Sequence, residues 1–280
     1  MGETENDAPT YAAPRHLMHL LGIIVDQDIY GDVRGTITVT PHLLGADGNP
    51  RLAVVAMLID ALGGLRSITA ADPDWAFTAD MSVHLGASGP MHHLRADLHV
   101  RRRGRRTLVI EVELVADDER PAGRAILTFA VVPRPEHLAG LDVRTEPGRR
   151  PMGTTDEVLD TDWLTEVGAT VTAPGTVVID TRREVQNTVG ALHGAMHAAL
   201  VDEASVSLGR SLLGGPSAVT DLQLAYLDLA RSSPLTATAT AVGAPSIDDA
   251  SLAVVVELHD ADGRLCSYST TRVHRVGADR

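Results

Sequence analysis

Apolar blocks and alternating apolar-polar segments succeed one another along this chain in an order that occurs twice. Residues 14–21 are apolar-periodic, residues 22–28 and 34–40 have β-type character, and residues 50–67 form a long apolar block predicted as one helix. The second cycle opens at residues 160–168, where Thr or Asp supplies a cap, passes a strand at 176–180, and reaches its own long helix over 192–213. In each cycle a short loop then leads to a strand carrying an aspartate, Asp80 in the first and Asp221 in the second. Three further strand-like segments follow. The middle ones, 109–115 and 254–259, alternate apolar and polar residues as a sheet with one buried face requires. Segments 124–132 and 264–275 close the two cycles.

Repetition on this scale predicts two related units, residues 1–133 and 154–280, joined by a linker over 134–153 in a stretch rich in Pro, Arg and Gly. One long helix beside an antiparallel sheet in each unit is an α+β pattern. Small residues on the second helix, among them Gly194, Ala195, Ala198 and Ala199, allow a sheet or a ligand to approach its backbone closely.

Composition narrows the classes. With 280 residues and 44% hydrophobic content the chain can bury one large or two ordinary cores. No apolar run reaches the ~20 residues a bilayer span needs, so no membrane span is expected. The first nine residues are acidic and polar, unlike an export signal. A single cysteine, Cys266, cannot form an internal disulfide, and a cytoplasmic location is expected. The net charge of −13 argues against nucleic acid as a partner. All 24 basic residues are arginine, and residues 101–106, Arg-Arg-Arg-Gly-Arg-Arg, form a local basic cluster on an acidic chain. His84, His92 and His93 lack a metal-ligand spacing with Asp or Glu, so no metal is expected.

Chemistry concentrates in residues 187–202, which order an amide (Asn187), a His-Gly helix start (His193, Gly194) and a carboxylate within the helix (Asp202). The first long helix carries the same carboxylate, Asp60, after a fully apolar run, but begins Arg51-Leu52 rather than His-Gly. These residues, with Gly190, the Leu200-Val-Asp202 step and Thr220-Asp221, resemble the hotdog-fold acyl-CoA thioesterases of the phenylacetate-degradation type. The resemblance covers nearly the whole chain, taken as a double hotdog: two fused units, each a long central helix wrapped by an antiparallel sheet. Ala195 departs from the second glycine common after His-Gly, and the Asp-His-Ser helix signature of thioesterase II, another double hotdog, is missing.

The resemblance implies a thioester hydrolase whose sites form between units, one unit supplying Asn and the His-Gly helix start, the other the helix carboxylate and a hydroxyl residue two positions before the strand aspartate. One complete set results: Asn187, His193 and Gly194 from the second half, Asp60 and Thr78 from the first. Gly194 would supply an oxyanion N–H, Asp60 the base or nucleophile, Thr78 a hold on water, and Asn187 an orienting amide. The reciprocal set keeps Asp202, a second-site candidate, but places Val219 at the hydroxyl position and Gly45, Arg51 and Leu52 opposite Asn, His and Gly. Arg103, Arg105 and Arg106 are candidates for the phosphates of coenzyme A. No cofactor is implied, since coenzyme A belongs to the acyl-CoA substrate. A homodimer of double hotdogs is the expected assembly. The alternative is a non-catalytic acyl-CoA or acyl-lipid binding protein.

Overall fold

The computed structural model describes residue 13 and residues 15–86, 89–139, 147–153 and 159–277. The first half runs α1 (Leu17–Leu20), β1 (Ile24–Gln27), β2 (Val33–Thr38), α2 (Leu52–Ala71), β3 (Trp75–Leu85), β4 (His93–Arg103), β5 (Thr107–Ala116), β6 (Pro121–Val132) and β7 (Gly148–Pro151). The second runs α3 (Trp163–Val167), β8 (Thr170–Ala173), β9 (Thr176–Ile179), α4 (Gly194–Leu213), β10 (Ser217–Tyr226), β11 (Leu235–Ala241), β12 (Ser251–His259) and β13 (Leu265–Arg275).

All the strands join one 13-stranded sheet in the order β7-β1-β2-β4-β5-β6-β3-β10-β13-β12-β11-β9-β8. From the centre outward the order is the same on both sides, apart from the extra edge strand β7. The halves meet at the β3–β10 pair, antiparallel in the register Asp221 to His84 through Ala225 to Asp80. Strands β3 and β10 each carry a register shift two residues wide, at Thr78/Asp80 and Val219/Asp221, which makes Val219 the counterpart of Thr78.

α2 and α4, each of 20 residues, lie in the concavity of this sheet and pack against each other. Every residue of α2 from Leu52 to Gly63 is buried, so apolar character around the whole helix is what the position demands. Fully burying one Leu, Ile or Met there contributes roughly 1.5–3 kcal/mol. By length and composition α2 is apolar enough to cross a bilayer, but 72% of that window is buried inside the fold. Gly63 lets α2 sit tightly on the sheet, because a Cβ there would lie 2.4 Å from Leu127 Cδ1.

Two expectations about extent are corrected. α2 runs to Ala71 rather than residue 67, stopping at Asp72, the residue before Pro73, where helical backbone is disfavoured. Arg103 completes that end, its Nε donating to the Ala70 carbonyl at 2.8 Å and its Nη2 to that of Ala71 at 3.4 Å. Within the segment read as a linker, Gly148–Pro151 pairs antiparallel with β1 as an edge strand. Residues 140–146 of that segment, with Pro14 and residues 154–158, lie outside the described residues.

Candidate active site

The loop before each long helix folds in the same way in both halves. Asn187 N–H donates to the Ala191 carbonyl (2.8 Å) before α4, as Gly45 N–H does to that of Asn49 (2.7 Å) before α2. Isolated bridges close both loops, Gln186 with Leu192 and Leu44 with Pro50. Asn187 and Gly45, His193 and Arg51, and Gly194 and Leu52 therefore occupy equivalent places.

Asp60 and Asp202 are each the ninth residue of their helix, and each reaches the first turn of the other helix. Asp60 Oδ2 accepts from Ala195 N–H at 2.9 Å, and Asp202 Oδ2 from Ala53 N–H at 3.3 Å. The first amides of a helix lack intrahelical partners and carry the positive end of its dipole, so a carboxylate is stabilised there.

The Asp60 surroundings contain the residues singled out from the sequence. Thr78 Oγ1 donates to Asp60 Oδ1 at 3.0 Å, so its hydroxyl proton is committed to the carboxylate and orients it. Gly194 permits the carboxylate's approach: a Cβ on it would lie 2.8 Å from Asp60 Oδ2. His193 is the N-cap of α4, its Nδ1 accepting from Ala195 N–H at 3.3 Å and standing 3.4 Å from Asp60 Oδ2. Burial lowers the His193 pKa to about 4, which keeps the ring neutral near pH 7. Asn187 Oδ1 accepts from Val189 N–H (3.0 Å) and Ala191 N–H (3.1 Å), closing the loop as an Asx turn and leaving its NH₂ group for a ligand.

Burial raises the Asp60 pKa from 3.8 to about 6, against the opposing bonds from Thr78 and Ala195, which favour the charged form. A carboxylate poised there can exchange a proton near neutral pH, as a general base must. Of the first amides of α4, Ala195 N–H serves Asp60 and Met196 N–H bonds the His193 carbonyl at 2.8 Å. Gly194, the first residue of α4, lies on the wall of a cavity of about 340 Å³ that also exposes Asp60, Thr78, Asn187 and His193.

Three further residues line this cavity that the sequence reading passed over. Tyr226 OH donates to the Gly194 carbonyl at 2.9 Å and so fixes the helix start from the strand side. His197 packs its ring 5.2 Å from that of Tyr226 and shares a hydrogen bond with Ser267 Oγ at 3.1 Å. Trp75 closes an apolar wall with Leu65 and Ile68. His197 stands three residues after Gly194 on the same helix face, and Tyr226 follows Leu222 and Leu224 on the buried face of β10, signals that were legible.

A second cavity of about 300 Å³ surrounds Asp202, with different chemistry. Arg51 Nε lies 3.3 Å from Asp202 Oδ2, Arg51 Nη2 donates to Glu203 Oε2, and the guanidinium stacks 5.2 Å from the Trp163 ring. Burial works against the Arg51 charge, but the two carboxylates outweigh it and hold its pKa above the ordinary value. Val219 faces this cavity where Thr78 bonds Asp60.

The basic cluster spans the β4–β5 turn as expected, but its members differ. Arg101 pairs with Glu111 and Arg103 caps α2, while Arg102, Arg105 and Arg106 are exposed.

Neither a family model nor a curated protein sequence matches this chain. Solved structures do. They include the 12:0-ACP thioesterase from Umbellularia californica (TM-score 0.59, 11% identity, 86% of this chain and 93% of that one). A putative thioesterase II from Thermobifida fusca matches at TM-score 0.56 and 17% identity, over 88% and 94%. A protein of unknown function with a hot dog fold from Alicyclobacillus acidocaldarius matches at TM-score 0.52 and 14% identity, over 94% and 98%. At these identities the likeness establishes the fold: the chain is an α+β hotdog protein, doubled within one polypeptide.

Proposed function

We propose that this protein hydrolyses acyl thioesters, with acyl-CoA as the first substrate class, at one composite site between its halves. The observation that carries the reading is the pairing of Asp60 with the first turn of α4, a buried carboxylate of raised pKa facing a cavity beside an unbranched helix start. Asp60 takes a proton from water, and the water oxygen bonds to the thioester carbonyl carbon. Gly194 N–H donates to the resulting oxyanion at the positive end of α4. When the tetrahedral intermediate collapses, the C–S bond breaks and the thiolate takes the proton back from Asp60. Thr78 orients the carboxylate, neutral His193 caps the helix, and the Asn187 NH₂ group is available to the thioester. Coenzyme A and carrier-protein thioesters share this reacting group, and the thioesterases among the similar structures add support.

Release of free thiol from acetyl-, hexanoyl-, decanoyl-, palmitoyl- and phenylacetyl-CoA tests the reading. Wild type is expected to turn over at least one of them, and Asp60→Asn to do so at least about 100-fold more slowly. Tight acyl-CoA binding without turnover by wild type would overturn hydrolysis in favour of a binding protein.

A further inference from the structure

Gly64 occupies an odd position. It lies inside α2, where glycine is the least favourable residue apart from proline, and a Cβ on it would meet nothing within 4 Å. Neighbouring Gly63 has a packing reason, the Leu127 contact, and Gly64 has none of that kind. Gly64 does line the Asp60 cavity, one turn beyond the carboxylate, and Ile68 lines it one turn further, about 12 Å from Asp60 along the axis. The wall there is apolar, with Leu65, Trp75 and Phe129 alongside. In the second cavity the equivalent helix positions, four and eight residues after Asp202, carry Val206 and Arg210, both on its wall. One side chain fills the space and the other brings a charge.

We infer that Gly64 keeps open an acyl groove running along α2 from Asp60 past Ile68, and that it sets the length of linear acyl chain this site accepts. The inference rests on the thioesterase reading and names its substrate class: unbranched acyl groups extending at least two helical turns from the reacting carbon. A side chain at Gly64 would project across that path and leave the carbonyl position clear.

The test compares wild type, Gly64→Ala and Gly64→Leu on acetyl-, hexanoyl- and decanoyl-CoA. Gly64→Leu is expected to lower the decanoyl-to-acetyl ratio of kcat/KM by ~10-fold or more, since even one methylene in an apolar pocket is worth about that factor. An unchanged ratio, or equal loss on both substrates, overturns the inference. Gly64→Ala is expected to raise the melting temperature by about 2 °C, because alanine is the better helix former and meets no clash. A lowered melting temperature would mean a packing role and overturn it as well.

Calorimetric titration with decanoic acid separates this inference from the one beneath it. Binding to wild type at least ~10-fold tighter than to Gly64→Leu supports the groove even if no thioester is turned over, in which case the hydrolase reading alone fails. Equal binding to the two proteins, or no binding to wild type, overturns the groove.

Discussion

The Asp60 and Asp202 sites are built on one plan with different neighbours around the carboxylate. Each presents a helix carboxylate to the first turn of the opposite helix, in a cavity of about 300–340 Å³. Around Asp60 the neighbours are neutral: a hydroxyl, a capping imidazole and a glycine. Around Asp202 a guanidinium occupies the imidazole's place and valine the hydroxyl's. Burial raises the pKa of both carboxylates, but Asp202 is ion-paired with Arg51, which works against that rise, whereas Asp60 is held only by neutral donors. Fusing the two units relieves each of carrying both roles, so one site can serve chemistry while the other cements the interface.

The comparison breaks first at the carboxylates. Asp60→Asn is expected to lower kcat by about 10²–10⁴-fold, the usual contribution of a general base, while Asp202→Asn leaves kcat within a few-fold of wild type. Thiol release under saturating substrate checks both.

Arg51→Ala is the mirror experiment on stability. Removing the guanidinium strands two buried carboxylates, Asp202 and Glu203, and is expected to cost roughly 3–5 kcal/mol in denaturant unfolding. His193→Ala, which removes a neutral cap, should cost only about 0.5–2 kcal/mol. Equal losses would mean that the two sites are not electrostatically different.

The pH dependence sharpens the contrast. On the proposed mechanism Asp60 must be ionised to act, so kcat/KM should fall as pH drops through about 6. Its folded pKa lies above its unfolded value, so between about pH 4 and 6 the folded state holds more protons, and stability falls as pH rises through that window. Asp60→Asn should then be more stable than wild type at pH 8, by at most roughly 3 kcal/mol, with less difference at pH 4. Thr78→Val, which copies Val219, removes a bond that favours the ionised carboxylate. It should move the acid limb of kcat/KM to higher pH and cost ~10-fold in rate at neutral pH, as loss of a hydrogen bond to a charged group implies.

The smallest effect is expected at the β4–β5 turn. Arg105→Ser or Arg106→Ser should raise KM for acyl-CoA by a few-fold at low salt and less at high salt, since exposed charge is screened. Arg103→Ala should instead lower thermal stability, because its donors hold the end of α2.

How much of this was legible in the sequence depends on the distance over which each feature is decided. The doubled plan and the two long helices could be read because each rests on a local pattern repeated twice, whereas the pairing of Asp60 with the His-Gly start came only from the family resemblance. Val219 could be set opposite Thr78 by aligning the two strands, but the matching bulges in β3 and β10 that confirm it are seen only in the folded sheet. Strand β7 was not legible, since four residues of a Pro- and Arg-rich stretch become a strand only because β1 offers an open edge. Nor was the use of the Thr78 hydroxyl, which depends on where α2 sits above β3 to within an ångström or so. Arg51 could be placed opposite His193 by alignment, but its grip on both Asp202 and Glu203 needs the folded helix pair.

The bond from Ala195 N–H to Asp60 joins residues 135 positions apart, and no local segment of either half can form it. That pair therefore exists only once both halves have folded and their helices have docked. On the proposed hydrolase reading, activity would become a report on assembly: under mild denaturation it should vanish before helical content does, and in refolding it should return last.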